Sequence, residues 1–176
     1  AADRQNFANW FSYYRTREMA AKSGIGSVFA DKDLSKQFRL GWGVINRGRN
    51  NVDGASNVRA VEQGVRPFLD DDDKGINGVK DDFISWLYGV DSTGSTPLQR
   101  ALEGAGQYYE RSKRAWLDDP SASEGTGNVA RQCRMSATML MTDGYYNTGN
   151  GFDPDLNSYA DDSDGPIITN DDGAEA

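Results

Sequence analysis

Histidine does not occur in this 176-residue chain, and cysteine occurs once, at Cys133. The first absence removes the commonest general base and the commonest zinc ligand. The second excludes an internal disulfide and a cysteine-built zinc cluster. Cys133 reads either as a small buried hydrophobe or as half of a disulfide with a partner outside the chain. Long apolar runs are lacking too: none approaches the roughly 20 residues of a membrane-spanning helix. No secretory leader pattern is visible. Basic residues are outnumbered, 19 against 27 acids, for a net charge of −8. That balance argues against nucleic acid, whose phosphates require a basic face. It suits divalent cations, or simple solubility.

What is present is glycine, 20 residues of it, with only 37% hydrophobic residues and a mean hydropathy of −0.72. Length fits one domain, and this composition implies a modest core with long polar loops. The polar start at Ala1-Ala2-Asp3-Arg4 reads as excised from something longer. Phe7, Trp10, Phe11 and Tyr14, continued by Ile25, Val28 and Phe29, predict a helical stripe over 6–30 with Asn6 as its cap. Phe38 to Asn46 alternates apolar with small or polar residues and predicts a strand, its glycines marking close approach by a helix. Residues 47–57 read as loop. Val58 to Phe68 fits a short helix or an edge strand, with Pro67 against a central position. A helix is predicted over 79–88 and another from Pro97, buried through Leu98, Ala101, Leu102, Ala105 and Tyr109. Residues 113–130 read as loop and 136–142 as a buried strand, since Met139, Leu140 and Met141 form a continuous apolar run. Strands separated by helices imply an α/β fold with parallel pairing.

Two residues stand out as chemistry. Asp143 follows the strand at 136–142, and in open α/β sheets ligands gather at the carboxyl ends of strands. A carboxylate there suits a hard cation; equally, Asp-Gly is a common turn dipeptide. Thr96 precedes Pro97 at a helix start, where threonine caps and proline presets φ; its hydroxyl is also placed to ligate a cation. Asp91-Ser92-Thr93-Gly94-Ser95 fits an Asp-x-Ser/Thr-x-Ser metal signature, but helical spacing precedes it, and it reads as linker. Asp153-x-Asp155-x-Asn157 resembles the start of a calcium loop but lacks the glycine and glutamate such loops need. Asp70 to Asp73 reads as a solvated acidic turn.

The run Asn6 to Arg17, with Gly64-Val65-Arg66-Pro67-Phe68, Trp86-Leu87-Tyr88, Ser95-Thr96-Pro97-Leu98 and Leu140 to Tyr145, resembles the PilY family of type IV pilus tip-associated adhesins and assembly factors of Gram-negative bacteria. The resemblance implies a von Willebrand factor A-like domain over 1–150: a mostly parallel sheet flanked by helices, lacking its first strand and that strand's Asp-x-Ser-x-Ser loop. Residues 151–176 then form an acidic loop or tail. It implies a metal-ion-dependent adhesion site in which Thr96 and Asp143 hold a divalent cation (magnesium, manganese or calcium). The implied partners are a host or surface protein ligand and minor pilin components at the cell surface or pilus tip, and no catalysis is implied. Two other readings remain open: a metal-assisted hydrolase using Asp143 with the acids of 153–164, and a structural calcium-binding module.

Overall fold

The computed structural model describes residues 2–34, 37–70, 79–91, 93–131 and 133–142. The predicted first helix is two helices, α1 (Ala2–Tyr13) and α2 (Arg17–Phe29). The break falls at Thr16, which is extended and accepts a hydrogen bond from the Met19 amide at 3.1 Å. A threonine in this position satisfies an amide that the first helical turn leaves without a carbonyl. Asn6 lies inside α1 and does not cap it. None of α1 is buried: Phe7, Trp10, Phe11 and Tyr14 are all exposed. The stripe turns inward only in α2, where Ile25 and Phe29 reach a core.

Four strands follow in two antiparallel ladders. β1 (Arg39–Gly43) pairs with β4 (Val61–Pro67), and β2 (Arg49–Val52) pairs with β3 (Ala55–Arg59). The β2–β3 hairpin lies in the predicted loop. Its turn is Asp53-Gly54, with φ of 52° and 83°. Positive φ at both central residues matches the right-handed twist of the flanking strands, and Asp-Gly supplies it at low cost. The ambiguous stretch is thus strand, with Pro67 as its last residue opposite Arg39. The glycines of β1 are crowded by β4 and the residue before it, not by a helix: a Cβ at Gly43 would sit 1.7 Å from the Ala60 carbonyl oxygen.

Helices α3 (Lys80–Gly89) and α4 (Leu98–Arg111) fall where the spacing predicts them. α3 and α2 bring Phe83, Leu87 and Phe29 against Phe68 and Phe38. The rings meet mostly edge to face, with Phe29 and Phe83 centroids 4.9 Å apart, a geometry that complements their quadrupoles. α4 lies on the hairpin, where Tyr108 joins Val52, Ala55, Val58 and Val65 in a second core.

This second core encloses charge. Arg66 donates to both oxygens of Asp53, at 2.6 and 2.8 Å. The Asp53 side chain is 5% exposed. The hydrogen bond to Asp53 holds the Arg66 guanidinium above its ordinary range. Ser112 Oγ donates to the Asp53 carbonyl at 3.0 Å, so α4's end is tied to the hairpin turn.

Beyond α4 a short 3-10 turn (Lys113–Trp116) leads to a bridge between Leu117 and Ala130. Residues 136–142, predicted as a buried strand, carry neither helix nor strand, and Met139 and Met141 are 82% and 53% exposed. A buried parallel strand needs neighbours on both edges. Among the described residues both ladders of the chain are antiparallel.

Candidate functional site at the end of strand β1

Strand β1 runs out at Gly43, and the chain continues through Val44, Ile45 and Asn46 to a turn closed by Arg47 N–H on the Val44 carbonyl at 2.9 Å. There the Asn46 side-chain amide donates to the Thr93 carbonyl. This bond brings the α3–α4 loop to the carboxyl end of β1. Gly94 fits beside it with φ of 95°, and a Cβ there would lie 2.5 Å from Asn46 Nδ2. On the other flank, Lys22 donates to the Val90 carbonyl at the end of α3 and pairs with Glu18 at 2.7 Å.

Thr96 sits in this loop, half-buried. It is not the cap of α4. That position belongs to Pro97, whose carbonyl accepts from Ala101 N–H at 3.0 Å and which provides no side-chain cap bond. The Thr96 carbonyl accepts from Leu98 N–H at 2.9 Å. The helix begins one residue later than the Thr-Pro pair predicts, because Pro97 adopts ψ of 71° and not a helical value. Thr96 thus stands in the loop one residue ahead of the cap. Asp91, Thr93, Gly94 and Ser95 are exposed and follow helix α3, which accords with a linker.

Sequence reasoning passed over Glu62. Antiparallel pairing sets Val61 opposite Gly43, so Glu62 shares the rim. One of its oxygens pairs with Arg47, and the other accepts from Trp86 Nε1 at 2.7 Å. This carboxylate is already engaged on both oxygens. No spacing rule marks it, since its partners lie 15 and 24 residues away.

Asp143 lies outside the described residues, as do Asp153, Asp155, Asn157 and residues 71–73. Asp70 is described, and it is not a purely solvated acid: it pairs at 3.2 Å with Lys80, which is 6% exposed. Cys133 is exposed, which removes its reading as a buried hydrophobe. Among the described residues no group of three or more histidines, cysteines or carboxylates is placed to hold a metal ion. A cation's oxygen shell takes six or more ligands. No described helix is long and apolar enough to cross a membrane.

Comparison with known proteins identifies relatives. The chain is 32% identical over 148 residues to the type IV pilus biogenesis factor PilY1 of Pseudomonas aeruginosa strain PAO1, covering 82% of this chain and 12% of that protein. The PilY1 of strain PAK is 31% identical over 149 residues, covering 84% and 12%. That of strain UCBPP-PA14 is 30% identical over 145 residues, covering 82% and 11%. No family model and no solved structure matches. The chain therefore spans about an eighth of the length of the relatives it matches, and over that span it is a PilY1-like fragment.

Proposed function

We propose that this chain is a non-catalytic binding module of type IV pilus biogenesis, acting at the cell surface through contacts with pilus components and with a surface protein ligand. The observation that carries the reading is the likeness to PilY1 over more than four fifths of the chain. The metal-dependent form of binding belongs to the same proposal. In it, Thr96 and Asp143 hold a divalent cation whose remaining position takes a carboxylate from the ligand. Hydroxyl donors leave such an ion with charge to spare for an acidic partner. The loop placement supports it: Asn46 fixes the Thr96 loop at a strand end, where open sheets bind ligands.

A von Willebrand factor A-like sheet is proposed alongside. β1 is flanked by β4 on one side, Phe29 and Phe83 pack with its Leu40 and Trp42, and 136–142 has the composition of a buried strand. The apolar run at 139–141 would then be covered by sheet neighbours in the whole protein. Hydrogen exchange in the full-length protein tests this: slow exchange at 136–142 is expected, and exchange as fast as in a loop would refute it.

For function, Thr96→Ala and Asp143→Ala are introduced separately into the full-length protein. Surface piliation and magnesium- or manganese-dependent adhesion are then measured. Loss of cation-dependent adhesion with normal folding is expected of each. Adhesion that is unchanged, or indifferent to chelator, would leave the pilus assignment and remove the metal.

A further inference from the structure

We propose that Arg39, Arg131 and Arg134 form a docking surface for a short acidic polypeptide segment, with Asp118 as the carboxylate that organises them. The three guanidiniums come from β1 and from the chain that follows the Leu117–Ala130 bridge. Arg131 takes both Asp118 oxygens, Nε at 2.9 Å from Oδ1 and Nη2 at 2.8 Å from Oδ2. Arg134 Nη2 is left with a longer contact, 3.2 Å to Oδ1. Arg39 turns instead to main-chain carbonyls, those of Ala115 and Asp118.

Two guanidiniums thus pair with one carboxylate, and the third, that of Arg39, lies within range of its charge. The adjacent Asp119 is engaged elsewhere, by the Ser121 amide at 2.9 Å. Burial is the main cause that lowers the affinity of Arg39 for its proton; repulsion from Arg134 adds to it, against the pull of Asp118 and Asp119. A second carboxylate would relieve this repulsion and complete the fork of Arg134. Guanidinium–carboxylate pairing is directional and bidentate, so it suits such a ligand.

The surface is open to one. The Arg131 side chain is 60% exposed and that of Arg134 28%. The chain's overall charge does not oppose it locally. Residues 151–176 hold eight acids and no base, so the 27 acids and 19 bases of the whole leave 19 of each in 1–150. A long polyanion such as nucleic acid would still meet a chain of net charge −8. It would also need a basic footprint wider than three residues. A short segment with one or two carboxylates matches the cluster in size.

The test uses a fluorescent decapeptide of alternating Glu and Gly, titrated into the 176-residue chain and followed by anisotropy. Saturable binding that weakens as salt rises is expected. Arg134→Gln should weaken it about tenfold, the loss of one charge-assisted bond, and Arg131→Gln at least as much. Arg15→Gln, in the turn between α1 and α2, should leave it unchanged. If Arg131→Gln lowers the melting temperature, Arg134→Gln decides, with Arg134→Lys expected to recover part of the affinity by restoring charge without the fork. No saturable binding, equal affinity of Arg134→Gln and the unaltered chain, or tighter binding of a single-stranded oligonucleotide would overturn the proposal.

Discussion

Tyr108 lies 55 residues after Asp53 in sequence, and its hydroxyl donates to Asp53 Oδ2 at 2.8 Å. The same hydroxyl accepts from the Val65 amide at 2.9 Å. One phenol thereby joins the hairpin turn, strand β4 and helix α4. Arg66 completes the network from the other side of the carboxylate.

Removing part of this network should be costly in proportion to the charge it strands. Tyr108→Phe loses a hydroxyl and leaves the Val65 amide without its acceptor, for about 1–3 kcal/mol. Asp53→Ala leaves Arg66 largely buried without its carboxylate and should cost about 3–5 kcal/mol. Urea denaturation of both variants checks the order, which would be wrong if Tyr108→Phe were the more damaging.

The same phenol predicts an alkaline limit. Burial, then the neighbouring Asp53 charge, push the Tyr108 hydroxyl well above its ordinary value of 10.0. A raised folded-state value contributes stability that is complete below the unfolded value and is lost as pH rises toward the folded one. Stability should therefore fall from about pH 10 upward. Tyr108→Phe should flatten that fall in melts recorded from pH 9 to 11; an unchanged slope would mean that other groups cause it.

Acid acts on the opposite side. Hydrogen bonds from Arg131 hold the Asp118 carboxyl below its ordinary 3.8. A depressed value contributes stability that is present above the unfolded value and is lost as pH falls through the folded one. The segment 117–131 should loosen below about pH 4, seen as faster proteolysis there. Asp118→Asn should show that susceptibility already at neutral pH.

Gly64 faces the buried carboxylate. A Cβ there would lie 1.8 Å from Asp53 Oδ2 and 2.5 Å from the Tyr108 oxygen. Both are held in the network and cannot swing away. Gly64→Ala should cost about 1–3 kcal/mol by overpacking, measured as a lowered denaturation midpoint.

Thr96→Ala separates capping from ligation. Loss of a threonine cap costs about 1 kcal/mol. Since Pro97 holds the cap position, the substitution should change stability by less than about 0.5 kcal/mol. A melting temperature lowered by several degrees would restore Thr96 to a structural role.

Periodicity made α3, β1 and the extent of α4 legible, but α4 buries Ala101, Gly104 and Tyr108, and Leu102 of its expected stripe is 52% exposed. It misled at α1, where Phe7, Trp10 and Phe11 keep the helical spacing but face outward. Spacing records which residues share a face, not what covers that face. The hairpin at 49–59 carried a readable sign, Asp53-Gly54, overlooked because Arg49, Asn50 and Asn51 are poor strand formers. The strand expected at 136–142 rests on neighbours, which a local pattern does not specify. Of the two residues expected at the site, Thr96 lies in the α3–α4 loop, three residues beyond the Thr93 carbonyl that Asn46 holds, and Asp143 falls outside the described residues. Glu62 and the three arginines around Asp118 could not be read locally, since their partners are remote in sequence.

Asp53-Gly54 is the kind of step at which proteins age chemically: the glycine nitrogen turns on the aspartyl carbon, water is expelled and a cyclic imide forms. That ring closure needs the carboxyl to rotate toward the backbone. Here Arg66 grips both oxygens and Tyr108 holds one of them again. The network that joins the hairpin to α4 thereby also guards its turn, and isoaspartate at this position would mark molecules that had already come apart.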